Sequence, residues 1–598
     1  MRGVRAAGAT LAALALSGAA SLPVEEFYPS ELAAPGTKAV AKTVFAGDTI
    51  EEFPVEIIGR YRNFVGPGQD VILARLLGDR TAFTGVVAGM SGSPVYVGGK
   101  LLGAIAYRLG TFAKEPIAGI TPIEDMIRAG ETPAGARLAA LDPGGAPEPA
   151  VSPGLAAPAA GLVPIETPLL LGGFPRGVVE AYAPRFRALG LEPVQAGASS
   201  GGAEPGAPMR PGSAIAAVLV RGDLSVAATG TLTYISGRKL YAFGHPFLQS
   251  GSVDIPAARA SILWTLSSWM GSNKLASVGD AVGSIHEDRV TAIVGELGEV
   301  PRMIPVSVEV DAGRPSPRRY TFDIARARVL VPLLVNITVA ACLAETLDYA
   351  NEATVSMTSR IDVPGGPPIV LEDALAGDAA SPLPAQAAER VAGVVERIYS
   401  NPFRDVDVSG ITVKLKHVPK IRAAQVDRLI LPSSEIKPGT PYEFRVHLVN
   451  YRNEPSVEKV GFTLPADALP GQAVLVVGEG RAVDAAVPQF STTSRLVGAR
   501  DWDSYVQRLA ETPRGGRLYV RLVRGARGTT LGGEALPDLP PSVLSLLSSR
   551  RDGDRPPMMQ GKIVWERVIE IEGPVSGLIS LPLRIGRPAL STRGGQGS

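Results

Sequence analysis

The sequence predicts a mainly β protein built from several domains, and three observations predict it. At 598 residues the chain exceeds what one hydrophobic core organises, and about 150 residues per domain gives three or four. Gly (68) and Pro (52) make up about a fifth of the chain, above ordinary usage, and punctuate short runs of Val, Ile, Leu and Thr. Some of these runs alternate, as Thr231-Leu-Thr-Tyr-Ile235 does, which is the period of a half-buried strand. Basic and acidic residues balance at 59 and 58, so composition gives no support to nucleic-acid binding.

The elements follow in order. Residues 1–20 have a basic start (Arg2, Arg5), a short apolar stretch (Ala6 to Leu16) and a small-residue end, the layout of a secretory signal peptide. Residues 36–130 are strand-rich and end in a strand running into a short helix, Ile120-Thr-Pro-Ile-Glu-Asp-Met-Ile127. Residues 131–211 are Ala/Pro/Gly-rich linkers around a helical insert at Thr167 to Val194, whose amphipathic part Pro184 is expected to kink or divide. A second β block fills 212–345. Within it the apolar run Val329 to Ala344 holds Pro332, Asn336 and Thr338 and reads as buried core, not a membrane span. The one cysteine, Cys342, lies in that run; it excludes an internal disulfide and reads as a small buried hydrophobe. A connecting segment (346–403) leads to an immunoglobulin-like β domain (404–480), with strands expected at Ile411 to His417, Tyr442 to Val449 and Val460 to Leu464. Residues 481–598 are expected to mix α and β.

The chemistry concentrates at Gly89-Met-Ser-Gly-Ser-Pro94, a glycine-flanked turn between β-like runs. A serine nucleophile needs an exposed Oγ on a strained turn with backbone N–H groups free to hold an oxyanion, and Gly89 and Gly92 permit such a backbone. A structural β-turn is the plain alternative, and Ser93 the alternative hydroxyl, though Pro94 removes a donor after it. The four histidines make the search for a base short: His245, His286, His417 and His447. His245 stands out between Gly244 and Pro246 at the end of a strand-like run, whereas His286 is expected at a polar hairpin tip and the other two in sandwich strands. No His-Glu-x-x-His, paired-cysteine or calcium-loop pattern is present, so neither metal nor cofactor is expected.

Phe83 to Tyr107 resembles the active-serine segment of the SpoIVB-type serine peptidases, which share the Gly-Met-Ser-Gly-Ser-Pro string. Gly230-Thr-Leu-Thr and Ala242-Phe-Gly-His245 are similar to the family's histidine segment. The resemblance covers about 45–130 and 212–340 and implies two chymotrypsin-like β-barrel halves; the helical insert and the β-sandwich-like C-terminal domains, read from the residue patterns above, lie beyond its span. It implies Ser91 as nucleophile, His245 as general base and, by a looser match, Asp79 as the acid, with Asp254 as runner-up. The backbone N–H groups of Gly89 and Ser91 are the expected oxyanion donors. Here the serine half precedes the histidine half by 154 positions, the reverse of the family's order, and no PDZ module is visible. The resulting expectation is an exported serine endopeptidase, periplasmic, envelope-associated or secreted. It would act on a protein or peptide, and its C-terminal β domains would contact envelope proteins. A non-catalytic envelope binding protein on the same scaffold is the rival reading.

Overall fold

A computed structural model of the chain describes residues 26–110, 114–131, 161–197, 208–269, 271–347, 352–378, 380–486, 496, 499–531, 534–549 and 558–587. The expected signal peptide and most of both linkers lie outside the described residues. The fold is mainly β, 52% strand and 19% helix.

The first block is a closed ring of six antiparallel strands. These are β1 (Lys38–Val44), β2 (Ile50–Gly66), β3 (Gln69–Leu76), β4 (Ser93–Val97), β5 (Lys100–Leu109) and β6 (Ile117–Pro122). Pairing runs β1-β2-β3-β6-β5-β4, and β4 returns to β1 through Val40–Tyr96 and Ala41–Val95. Closure leaves no free edge in the ring. Alternate residues such as Val55, Ile57, Ile72 and Ala74 point inward onto Met90 and Ile105. Helix α1 (Asp79–Thr84) lies in the β3–β4 connection, and α2 (Ile123–Glu131) follows β6 as expected.

The region taken as a helical insert is a strand–helix–strand unit. β7 (Leu162–Pro164) joins the first ring; then β8 (Thr167–Gly172), α3 (Arg176–Arg187) and β9 (Leu191–Ala196) follow, with β8 and β9 parallel. The apolar run Leu169-Leu-Leu171 is short and buried, which suits a strand, and only the middle of the insert is helical. Pro184 does not divide α3. It sits one turn from the C-terminus, so the helix runs only three residues beyond it.

The second ring repeats the first. β10 (Ala214–Gly222), β11 (Ser225–Ser236), β12 (Lys239–Ala242), β13 (Gly251–Leu266), β14 (Asn273–Arg289) and β15 (Ala292–Leu297) pair in the order β10-β11-β12-β15-β14-β13, and β13 closes on β10. Numbered within each ring, both read first-second-third-sixth-fifth-fourth. The repeat is one of winding, which strand lengths and side chains do not reveal in the sequence.

From β10 the sheet extends through β17 (Arg318–Ile324), β16 (Ile304–Asp311), β20 (Gly410–Val418), β18 (Ala353–Asp362) and β19 (Ile369–Gly377). Helix α4 (Val331–Thr346) is apolar on every side and buried, and no described helix is long and apolar enough to cross a membrane. Its Asn336 is satisfied by Tyr182 and by Glu389 on α5 (Leu383–Tyr399), which ties three helices together. Cys342 is buried there as expected, and burial pushes its thiol up.

The C-terminal sandwich differs from expectation at both boundaries. Ile411 to His417 belongs to β20 in the large sheet, where it pairs parallel with β16 and antiparallel with β18. The sandwich starts at Ala424. Its four-stranded sheet contains 441–450 and 454–463, and its second sheet is built largely from 471–479, 517–531, 558–570 and 578–585. Phe444, Val446, Leu475, Val520 and Leu583 fill the space between. The two predicted C-terminal regions thus share one core.

Candidate functional site

The site lies where the two rings meet. Ser91 sits in the connection between the third and fourth strands of the first ring, and His245 in the equivalent connection of the second.

The serine turn is fastened from the other ring by β11. Thr231 donates its N–H to the Ser91 carbonyl at 2.8 Å and its hydroxyl to the Gly89 carbonyl at 3.1 Å. Thr233 donates its hydroxyl to the Gly92 carbonyl at 2.7 Å. Gly92 has φ +93°, and a Cβ there would lie 1.9 Å from the Thr231 carbonyl oxygen and 2.6 Å from the Phe243 nitrogen. Only glycine allows that approach. From the first ring, Thr121 of β6 reciprocates by donating to the Gly244 carbonyl at 2.6 Å.

The turn's own hydrogen bonds sort its N–H groups. Ala88 donates to Ser272, Met90 to Val87, Gly92 to Ile105 and Ser93 to Met90. The N–H groups of Gly89 and Ser91 make no hydrogen bond among the described residues. The two expected oxyanion donors are therefore the two left over. The Ser93 hydroxyl is committed to the Met90 carbonyl at 2.6 Å, so it belongs to the turn's scaffold. The Ser91 hydroxyl is fully buried and has no partner among the described residues.

His245 is 2% exposed, and its Nδ1 lies 2.7 Å from the Pro246 carbonyl oxygen. A carbonyl only accepts, so Nδ1 carries the proton and Nε2 presents a lone pair. Nε2 is buried and has no hydrogen-bond partner among the described residues. Burial pushes the His245 pKa down to about 4, against smaller upward pulls from the Pro246 carbonyl and from Glu166. The backbone before it is tense: Phe243 has φ +69°, rare for an aromatic residue. After it, the loop is held by Asp288 at the end of β14. This buried carboxylate accepts from the N–H groups of Phe247, Leu248 and Ser250 at 2.7–3.0 Å.

The expected acid is not brought to this histidine. Asp79 begins α1 on the exposed surface, and Asp254 lies on β13 beside Arg326 and His286. Neither makes a hydrogen bond to His245 among the described residues. The orienting role falls to the Pro246 carbonyl, an acceptor that no side-chain motif announces. Among the other histidines, the His286 ring bonds the Ser284 hydroxyl within β14, short of the hairpin tip expected for it; His417 is on β20, and His447 on the sandwich strand 441–450.

Sequence reasoning missed Asp288, Thr121 and Lys274. Lys274 alone carried a signal, since it falls in phase with Ala276 on the inward face of β14. Beside the turn, a cleft of about 380 Å³ opens between Phe83–Val86, Arg108 and Ile117 on one side and Trp269 and Ser272 on the other, with Phe83 and Trp269 exposed at its rim. Among the described residues no cluster of His, Cys, Asp and Glu could hold a metal. The chain matches no family model, no curated protein and no solved structure.

Proposed function

We propose that this chain is a serine endopeptidase of the SpoIVB type, exported to the cell envelope or beyond, with Ser91 as nucleophile and His245 as general base. One observation carries the reading. Ser91 Oγ and His245 Nε2 are buried and unpaired, on equivalent connections of two identically wound rings held together at that point. Buried polar atoms are normally satisfied, and two unsatisfied ones in adjoining loops mark a site kept for chemistry.

In this mechanism His245 Nε2 takes the Ser91 proton as Oγ attacks a peptide carbonyl. The free N–H groups of Gly89 and Ser91 receive the developing oxyanion. His245 then returns the proton to the leaving amine, and water repeats the sequence on the acyl-enzyme. The Pro246 carbonyl keeps the required tautomer throughout and steadies the imidazolium, in place of an aspartate. The cleft beside the turn gives a polypeptide a place to lie, with Phe83 and Trp269 offering apolar contact.

The complete burial of Ser91 favours the rival reading of a non-catalytic envelope binding protein, because substrate access requires the surrounding segments to part. A fluorophosphonate probe on the full chain separates the two. The peptidase reading expects labelling that Ser91→Ala abolishes and His245→Ala strongly slows. Labelling that survives Ser91→Ala, or none in the unaltered chain under conditions that keep it folded, sinks it.

A further inference from the structure

Lys274 is among the largest fully buried side chains of the protein, and the proposed mechanism gives it no step. It enters β14 at the hairpin that reaches over the first ring, and its N–H donates to the Ala88 carbonyl. A Cβ built on Gly89 would lie 3.4 Å from both Cβ and Cδ of Lys274, so the aliphatic stem runs along the Gly89 backbone. Its Nζ donates to Thr43 Oγ1 on β1 at 2.7 Å. The elements packed against it, β1 through Thr43 and the serine turn through Ala88 and Gly89, present no carboxylate to it among the described residues. Desolvation alone pushes its amine down to about 7.

Burying an amine without a counter-charge is costly, and a methionine of similar length would pack there without that cost. What the amine adds is a polar tie. It runs from the second ring, past the Gly89 backbone, to a hydroxyl of the first ring. A purely apolar side chain would leave Gly89 seated by packing alone.

We propose that Lys274 is a positioning residue of the serine turn: laid along Gly89 and tied to Thr43, it holds the Gly89 N–H where an oxyanion donor is needed. The inference rests on the peptidase reading for its catalytic consequence, but the positioning itself has a separate readout.

The test uses the full chain with Lys274→Met, Thr43→Val and Thr43→Ser. Hydrogen exchange is followed at the bonded amides of Ala88, Met90 and Gly92, and fluorophosphonate labelling is followed in parallel. Lys274→Met and Thr43→Val are expected to speed exchange at this turn about tenfold, the worth of one ordinary hydrogen bond, and to slow labelling by at least as much. Thr43→Ser keeps the hydroxyl and is expected to restore slow exchange, which a loss of packing alone would not do. If Lys274→Met does not fold, the isosteric Thr43→Val carries the test. Exchange within twofold of the unaltered chain in Thr43→Val overturns the proposal. Faster exchange in a chain that never labels supports the positioning role and removes the peptidase reading.

Discussion

The tautomer and burial of His245 make a prediction in which pH is the perturbation. General-base catalysis needs neutral imidazole, so labelling of Ser91 should follow the neutral fraction of His245. With the pKa at about 4, that fraction is ~97% at pH 5.5, whereas an ordinary histidine at 6.5 would be only ~9% neutral there. The rate constant for fluorophosphonate labelling, measured from pH 3.5 to 8, should therefore rise with a midpoint at about pH 4 and be flat above 5.5. The same depression has a stability consequence with a fixed sign. The folded state resists protonation that the unfolded chain accepts, so this contribution is complete above pH 6.5 and is lost as pH falls toward 4. The gap between those values corresponds to about 3 kcal/mol. Urea unfolding at pH 7 and pH 4.5, compared between the unaltered chain and His245→Gln, isolates it. A labelling midpoint at 6.5 or above would show that the imidazole is solvated in the reacting state, and the argument from burial would fail.

Three further outcomes follow from the contacts. Gly92→Ala forces a Cβ to within 1.9 Å of the Thr231 carbonyl at a φ of +93°, so the rings must separate and lose the Thr231 and Thr233 bonds. A loss of about 3–5 kcal/mol is expected in urea unfolding, and less than 1 kcal/mol would refute the close approach. Asp288→Asn turns one of the two oxygens that accept from the histidine loop into a donor, and should cost about 1–3 kcal/mol and slow labelling about tenfold. Asp79→Asn and Asp254→Asn should each leave the labelling rate within about twofold, because the Pro246 carbonyl already fixes the tautomer; a tenfold loss in either would restore an aspartate to the triad.

Much of this architecture was legible in the residues because strands and turns write local signals. Alternation at Thr231 to Ile235 and the punctuating glycines placed both β blocks, and the apolar run around Cys342 announced buried core, though not that it is a helix. What failed was assignment of strands to sheets. Ile411 to His417 alternates equally well for a sandwich or for β20, and register with β16 is set by tertiary contact. The strand–helix–strand unit was half hidden because Leu169-Leu-Leu171 is too short to show a period. At the site, Ser91 and His245 were visible because glycine and proline frame them. Asp288 was not, since a carboxylate that holds three backbone N–H groups 40 positions away leaves no pattern around itself.

In the peptidase reading proposed above, the serine half precedes the histidine half, and the winding of the rings bears on what that order demands. Each ring presents its connection between third and fourth strands to the other, so the pair is related by an approximate exchange of equivalent parts. The contacts that join the serine turn and the histidine loop run between the rings: Thr231 and Thr233 to the serine turn, Thr121 to Gly244, Gly92 against Phe243. None depends on which ring is made first. What chain order does constrain is the connection, and the strand–helix–strand unit that follows the first ring in the chain supplies none of those contacts. Geometry between the rings, and not sequence order, is thus the condition for a working serine–histidine pair. In this chain the join between the two loops rests on Thr121, Thr231, Thr233 and Gly92.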